Sequence, residues 1–272
     1  MRTDTTMTSR RDDMKRGSRI FKPLLASWSV ASRIVAAVGF IGGTSAFGYQ
    51  ETAVSDPGTV VGRVSFQGKL PEPQHFPVQK NPEVCGKEFD FAFVRAVSGA
   101  LQDVAVVLEG VEQGKPFVAL PTEIVAKGCA FLPYVATTAK KGAQGWPTFK
   151  IENKDPVMHN PHIYEVMGAG RRTLWNVGLP EQGSKIEKEL RVLKGKVIKI
   201  ECDQHDFMHS WVRLVDNPYF AMVGRDGSFK MDGVPPGRYK LVAWHPTLGE
   251  QTREVVVTSS GTTTADVTFP AK

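Results

Sequence analysis

The stretch ECDQHDFMHS, residues 201–210, sets Cys202, His205 and Met208 at three-residue intervals. A thiolate, an imidazole and a thioether are soft or borderline-soft donors, and on one short connection they suit copper. Zinc sites take four N, S or O ligands and do not need a thioether. Two His and one Cys in a trigonal set, with a long axial Met, is the electron-transfer arrangement of copper. The second imidazole must come from another strand, so that the fold fixes its distance. KDPVMHNPH, residues 154–162, supplies His159, bracketed by Pro156 and Pro161. Asn160, beside it, is expected to hydrogen-bond across to the Cys202 side and tie the two loops, as outer partners of metal ligands do. His162 and His209 flank the ligand stretches and are the substitutes for a ligand. His75 and His245 read as surface or hydrogen-bonded residues, since a ligating His needs partner ligands. Alone, Cys202 is a buried thiol and His159 a loop residue; the joint pattern points to a metal.

The elements around these residues read as strands. KVIKIECD, residues 196–203, alternates and runs into the Cys-His-Met loop, and SWVRLVD, residues 210–216, leaves it. WPTFKIENKD, residues 146–155, is a strand leading to the His159 loop. TVVGRVSF, DVAVVL and PFVALPTEIVAKGCAFLPYV supply earlier strands, and RDGSFKMDGVPPGRYKLVAWHPTLGEQTREVVVT, residues 225–258, supplies later ones around D-G and V-P-P-G turns. SKIEKELRVLK, residues 184–194, is the nearest approach to a helix and is read as extended. Strands with turns every few residues make a sandwich or barrel.

The three cysteines are an odd number. Cys85 and Cys129 stand in glycine-flanked loops, VCGKE and AKGCAF, without metal-type neighbours, and are expected to form a disulfide. Cys202 is left over for the metal.

The net charge of +6 lies almost wholly in the first 33 residues, where eight basic residues meet three acidic ones. The remainder gives no basic surface for nucleic acid. IVAAVGFIGGTSAFG, residues 34–48, is uncharged and follows that basic start. The pair reads as a secretory signal over residues 1–46, cut after Ala46, with a retained membrane anchor as the alternative. The expected location is periplasmic or secreted. The twin arginines of SRRDDMK are a weak export signal, since Asp13 stands where an apolar residue belongs.

At its ligand residues the chain resembles the cupredoxins, the plastocyanin and amicyanin family of blue copper proteins. Cys202, His205 and Met208 are similar to the short amicyanin-type ligand loop. His159-Asn160 matches the upstream His-Asn pair, and CAFLPYV, residues 129–135, resembles the first strand. DGSFKMDGVPPGRYKLVAWH resembles a second family, the carboxypeptidase regulatory-like (transthyretin-like) β-sandwich, and GTVVGRVSF and LQDVAVVL fit its opening strands. The resemblances imply an all-β chain: a cupredoxin Greek-key sandwich at residues 116–216, inserted between the two parts of a small sandwich at 58–115 and 217–272, after a linker at 47–57. The Cys85–Cys129 disulfide would staple one to the other. They further imply one type 1 copper per chain and a one-electron carrier without bond chemistry of its own. Its transient partner would be a redox protein such as a cytochrome or another copper protein, docking at a His205 ring edge rimmed by Phe207 and Pro161. The alternatives are a periplasmic copper carrier or buffer, and a scaffold or adhesion sandwich with a vestigial site.

Overall fold

The computed structural model describes residues 48–118, 121–141 and 145–271. The expected signal segment, residues 1–46, and the first residue of the expected linker lie outside them. Within the described residues no helix is long and apolar enough to cross a membrane. The chain is all-β, with a single helical turn, Pro82–Cys85, among the described residues.

Two principal cores divide the strands. The first is built on Gly58–Gln67, whose alternating burial puts Val60, Val64 and Phe66 inside. That strand pairs antiparallel with Ser228–Val234 and parallel with Thr262–Thr264 and Val267–Pro270. A facing sheet runs Phe220–Met222, Ala105–Glu109, Gly237–His245, Gly249–Val257. Leu101, Val106, Leu108, Tyr219, Phe229, Leu241 and Phe269 fill the space between. The D-G turn at Asp226–Gly227 is present, with Gly227 at φ +82°, where a Cβ would be strained.

The second core lies between two further sheets. One orders Val135–Ala139, His209–Val215, Val197–Cys202, Pro161–Met167 and Gly170–Asn176. The other orders Phe131–Leu132, Thr122–Ala126, Thr148–Asn153 and Lys185–Glu189, the last lying in the segment read as extended. Ile124, Phe149, Ile151, Ile163, Ile198 and Ile200 pack between them. Each such side chain contributes about 1.5–3 kcal/mol when fully withdrawn from water. The strand period of two places Ile198, Ile200 and Cys202 on the same inward face, so the alternation that makes the strand also aims the thiol at the interior.

The two cores are joined by Lys196 on Glu109 at 2.6 Å and by Arg213 on Glu250 at 2.9 Å, with Trp211 edge-on to Trp244. A second link departs from the strand order. Gln74–Pro77 and Glu88–Phe91 form an antiparallel hairpin. In sequence it follows the strand Gly58–Gln67 of the first core, yet Phe76 and Val78 are buried in the second, with Cys85, Phe89, Phe91 and Phe93 packed against it. The Cys85–Cys129 disulfide fastens this hairpin to the second core.

Candidate metal centre

Three elements converge on one buried point. Cys202 ends the strand Val197–Cys202, directly opposite Pro161 in the register. His159 precedes Pro161 and is pinned by a two-way bridge: its N–H donates to the Leu179 carbonyl at 3.1 Å, and Leu179 N–H donates to its carbonyl at 2.7 Å. His205 sits in the tight turn that the Met208 N–H closes on the His205 carbonyl at 3.1 Å. His159, Cys202, His205 and Met208 are all buried.

The donor atoms form a triangle. His159 Nδ1 is 3.2 Å from His205 Nδ1, and Cys202 Sγ is 4.0 Å from the first and 3.7 Å from the second. A triangle with those edges has a circumradius of about 2.1 Å, the length of a metal–imidazole bond to a zinc-sized ion. The chemistry of the donors agrees. Asp155 Oδ2 lies 2.9 Å from His159 Nε2, and the same carboxylate accepts the Gly128 and Cys129 N–H groups. The carboxylate therefore accepts a hydrogen bond from Nε2–H, which keeps the proton on Nε2 and leaves the Nδ1 lone pair facing the triangle. Two imidazole nitrogens and a sulfur, with no cation of the protein among them, fit a soft metal ion.

Electrostatics favour the neutral imidazoles. Burial pushes the His159 imidazolium down, against the pull of Asp155, and burial with the nearby His159 pushes His205 down, so both rings are held neutral. Burial raises the Cys202 thiol, opposed by N–H groups of Asn160, Gln204 and His205. A metal ion would supply the charge that deprotonates it. Asp155 is also pushed up by burial, but the Cys129 and Gly128 N–H groups and His159 outweigh this and hold it ionised.

Asn160 does tie the loops, through its main chain. Its N–H points to Cys202 Sγ at 3.4 Å and its carbonyl accepts the Asp203 N–H at 3.0 Å. The side-chain Oδ1 is buried without a partner. His162 lies outside the triangle, bonded to Tyr164, Thr173 and Asp203, and His209 packs among Phe76, Phe91 and Phe93. His75 is exposed on Asp90, and the buried His245 accepts the Thr247 and Leu248 N–H groups.

The expectation of a surface edge on His205 is corrected. The residue is 2% exposed, Phe207 is as buried, and Cys85 Sγ stands 3.8 Å from His205 Nε2. The hairpin at residues 74–91 covers the ligand loop, with Phe89 stacked on Phe207 at 4.7 Å. Neither that cover nor Asp155 was legible as part of the site. The signal for Asp155 is a carboxylate four residues before the candidate histidine, inside a proline-bounded loop.

Comparison with known proteins adds modest likenesses. Residues 203–265, less than a quarter of the chain, match the family model of polysaccharide lyase family 4, domain II, and this stretch runs from the Cys-His-Met loop into strands of the first core. Among curated proteins, none matches. The solved structures that resemble the chain include a copper-containing nitrite reductase from Thermus scotoductus (16% identity, 38% of this chain and 24% of that one, TM-score 0.28). They also include a purple cupredoxin from Nitrosopumilus maritimus (16% identity, 35% and 99%, TM-score 0.28). A Cu(I) amicyanin variant is a third (13% identity, 40% and 98%, TM-score 0.27). The match spans about a quarter of the reductase and nearly all of the other two. The chain is thus similar to cupredoxins over little more than a third of its length, at low superposition.

Proposed function

We propose that this chain is an exported copper protein of type 1, carrying one electron between partners in the periplasm or outside the cell. The observation that carries this reading is the buried triangle of His159 Nδ1, Cys202 Sγ and His205 Nδ1. Those three residues would hold the ion, with the buried Met208 offering a thioether as a fourth donor, and the ion would supply a Cu(II)/Cu(I) couple.

The protein's own groups do the rest. Asp155 fixes the tautomer and angle of His159. The Asn160 N–H donates to the Cys202 sulfur and restrains it. Anchorage on sheet strands and on the Leu179 bridge limits how far the donors move when the charge changes, which keeps reorganisation small. Burial excludes water from the centre. The chain makes and breaks no bonds in this reading, and its partner is a redox protein such as a cytochrome or another copper protein. The sandwich order, with the metal-bearing part inserted in the other, belongs to the same proposal. Should the segment before residue 47 be retained, it would anchor the protein to the membrane.

Voltammetry on the copper-loaded chain tests the assignment against the copper-carrier alternative. Reversible one-electron cycling with the metal retained supports the electron carrier. Loss of Cu(I) to a soluble acceptor at each reduction overturns it.

A further inference from the structure

The hairpin over the ligand loop is held in an unusual way. Residues 74–93 leave the first core after the strand Gly58–Gln67 and return to it at Val94. Over the centre, Phe89 stacks on Phe207, Phe76 tilts against the same ring at 6.4 Å, and Lys80 Nζ donates to Gln204 Oε1 at 2.9 Å. Cys85 Sγ abuts His205 Nε2 at 3.8 Å. Most of the hairpin's outer residues are exposed, Val84 and Glu83 among them, and Phe76 and Val78 are its buried side chains. The covalent fastening is the disulfide to Cys129, which is itself 0% exposed, whereas Cys85 is half-buried.

We propose that this hairpin is a cover and the disulfide its latch: oxidised, it shuts the ligand histidine from solvent; reduced, it swings away and lets copper in or out. The proposal rests on the reading of His159, Cys202 and His205 as copper ligands. The reductant is a dithiol. Its thiolate attacks the sulfur of Cys85, the less buried of the two half-cystines, the S–S bond breaks, and Cys129 leaves as thiolate and takes a proton. The second thiol of the reductant then resolves the mixed disulfide. Two electrons and two protons end on Cys85 and Cys129, and the reductant becomes a disulfide. Cys202 takes no part, since its sulfur faces the triangle.

The test uses the full metal-free chain. Diethyl pyrocarbonate modification of His205 is mapped by mass spectrometry, with the exposed His75 as reference, before reduction by a phosphine, after it, and after reoxidation. The same three samples are given Cu(II), and the metal is then withdrawn with a chelator. A latch predicts that His205 modification and copper withdrawal both rise roughly tenfold or more on reduction and fall back on reoxidation, the cross-link having been what confined the hairpin. The double variant Cys85→Ser, Cys129→Ser should behave as the reduced form does permanently. Unchanged His205 reactivity overturns the proposal. So does loss of the β-sheet circular dichroism on reduction, because the disulfide would then hold the fold and not a cover. Copper exchanged equally fast in both forms overturns the latch and leaves the metal reading standing. Copper bound by neither form overturns the metal reading and the gate with it, while the His205 footprint still reports whether the hairpin moves.

Discussion

His159 Nδ1 and His205 Nδ1 lie 3.2 Å apart, although 46 residues separate them in sequence. Two nitrogens that both present lone pairs repel unless a proton or a cation lies between them. With Asp155 accepting the Nε2–H of His159, that ring offers its Nδ1 lone pair to the pair, and on the proposed reading a metal ion would lie between the two rings. Replacing His205 by Ala, or Cys202 by Ser, should therefore abolish the intense thiolate-to-copper absorption of the loaded protein. Far-ultraviolet circular dichroism should be unchanged, since Cys202 is only the last residue of its strand and His205 lies in a turn. Retention of the band in Cys202→Ser would remove that sulfur from the ligand set.

Met208 has a different task. As a weak fourth donor its thioether would tune the couple without contributing to the colour. Met208→Leu is close to isosteric in a buried position, so folding is preserved. The visible band should persist and the reduction potential should rise by tens of millivolts, read by voltammetry. A bleached protein would mean that Met208 is not a weak fourth donor.

Asp155 holds His159 from behind while binding two main-chain N–H groups. Asp155→Asn removes the negative charge and unsettles the tautomer. Outer-partner losses of this kind cost about 10–100-fold in metal affinity. Competition with a chelator should show a loss of that order, together with a higher potential. An unchanged potential would reduce Asp155 to a loop-closing residue.

The ligand strand was legible because its pattern is local. Alternation in KVIKIECD dictates which face Cys202 shares with Ile198 and Ile200, and three-residue spacing brings His205 and Met208 back to the same turn. Half-cystines 44 residues apart could be paired by exclusion, since Cys202 alone had soft neighbours. The cover could not be read in this way. Its contact with His205 spans 120 residues, and FDFAF looks like one more strand of the sandwich it belongs to in sequence. Only the packing of Phe76 and Phe89 on Phe207 reveals which core receives it. The same long-range contact explains why Phe207 is buried.

Glu165 tests the sheet that carries the site. It is fully buried on the strand Pro161–Met167, and its Oε1 accepts N–H groups of Leu193, Lys194 and Gly195 at 2.7–2.8 Å while Arg172 holds Oε2. Burial pushes its pKa up, but those donors outweigh it and the net shift is downward. The unfolded value is about 4.3. A folded value below this makes the contribution complete above that pH and lost as pH falls through the folded value. Glu165→Gln should cost about 2 kcal/mol in urea unfolding at neutral pH, as expected for a charged hydrogen-bonded group, and the gap to wild type should close in acid. A gap that widened in acid would contradict the ionised assignment.

The central claim is most directly tested by titrating residues 47–272 with Cu(II) and recording the visible and electron spin resonance spectra together. The account predicts one equivalent bound, an intense blue thiolate band and a compressed copper hyperfine splitting, all lost in Cys202→Ser. A pale protein with ordinary hyperfine splitting, or no stoichiometric binding at all, would contradict it.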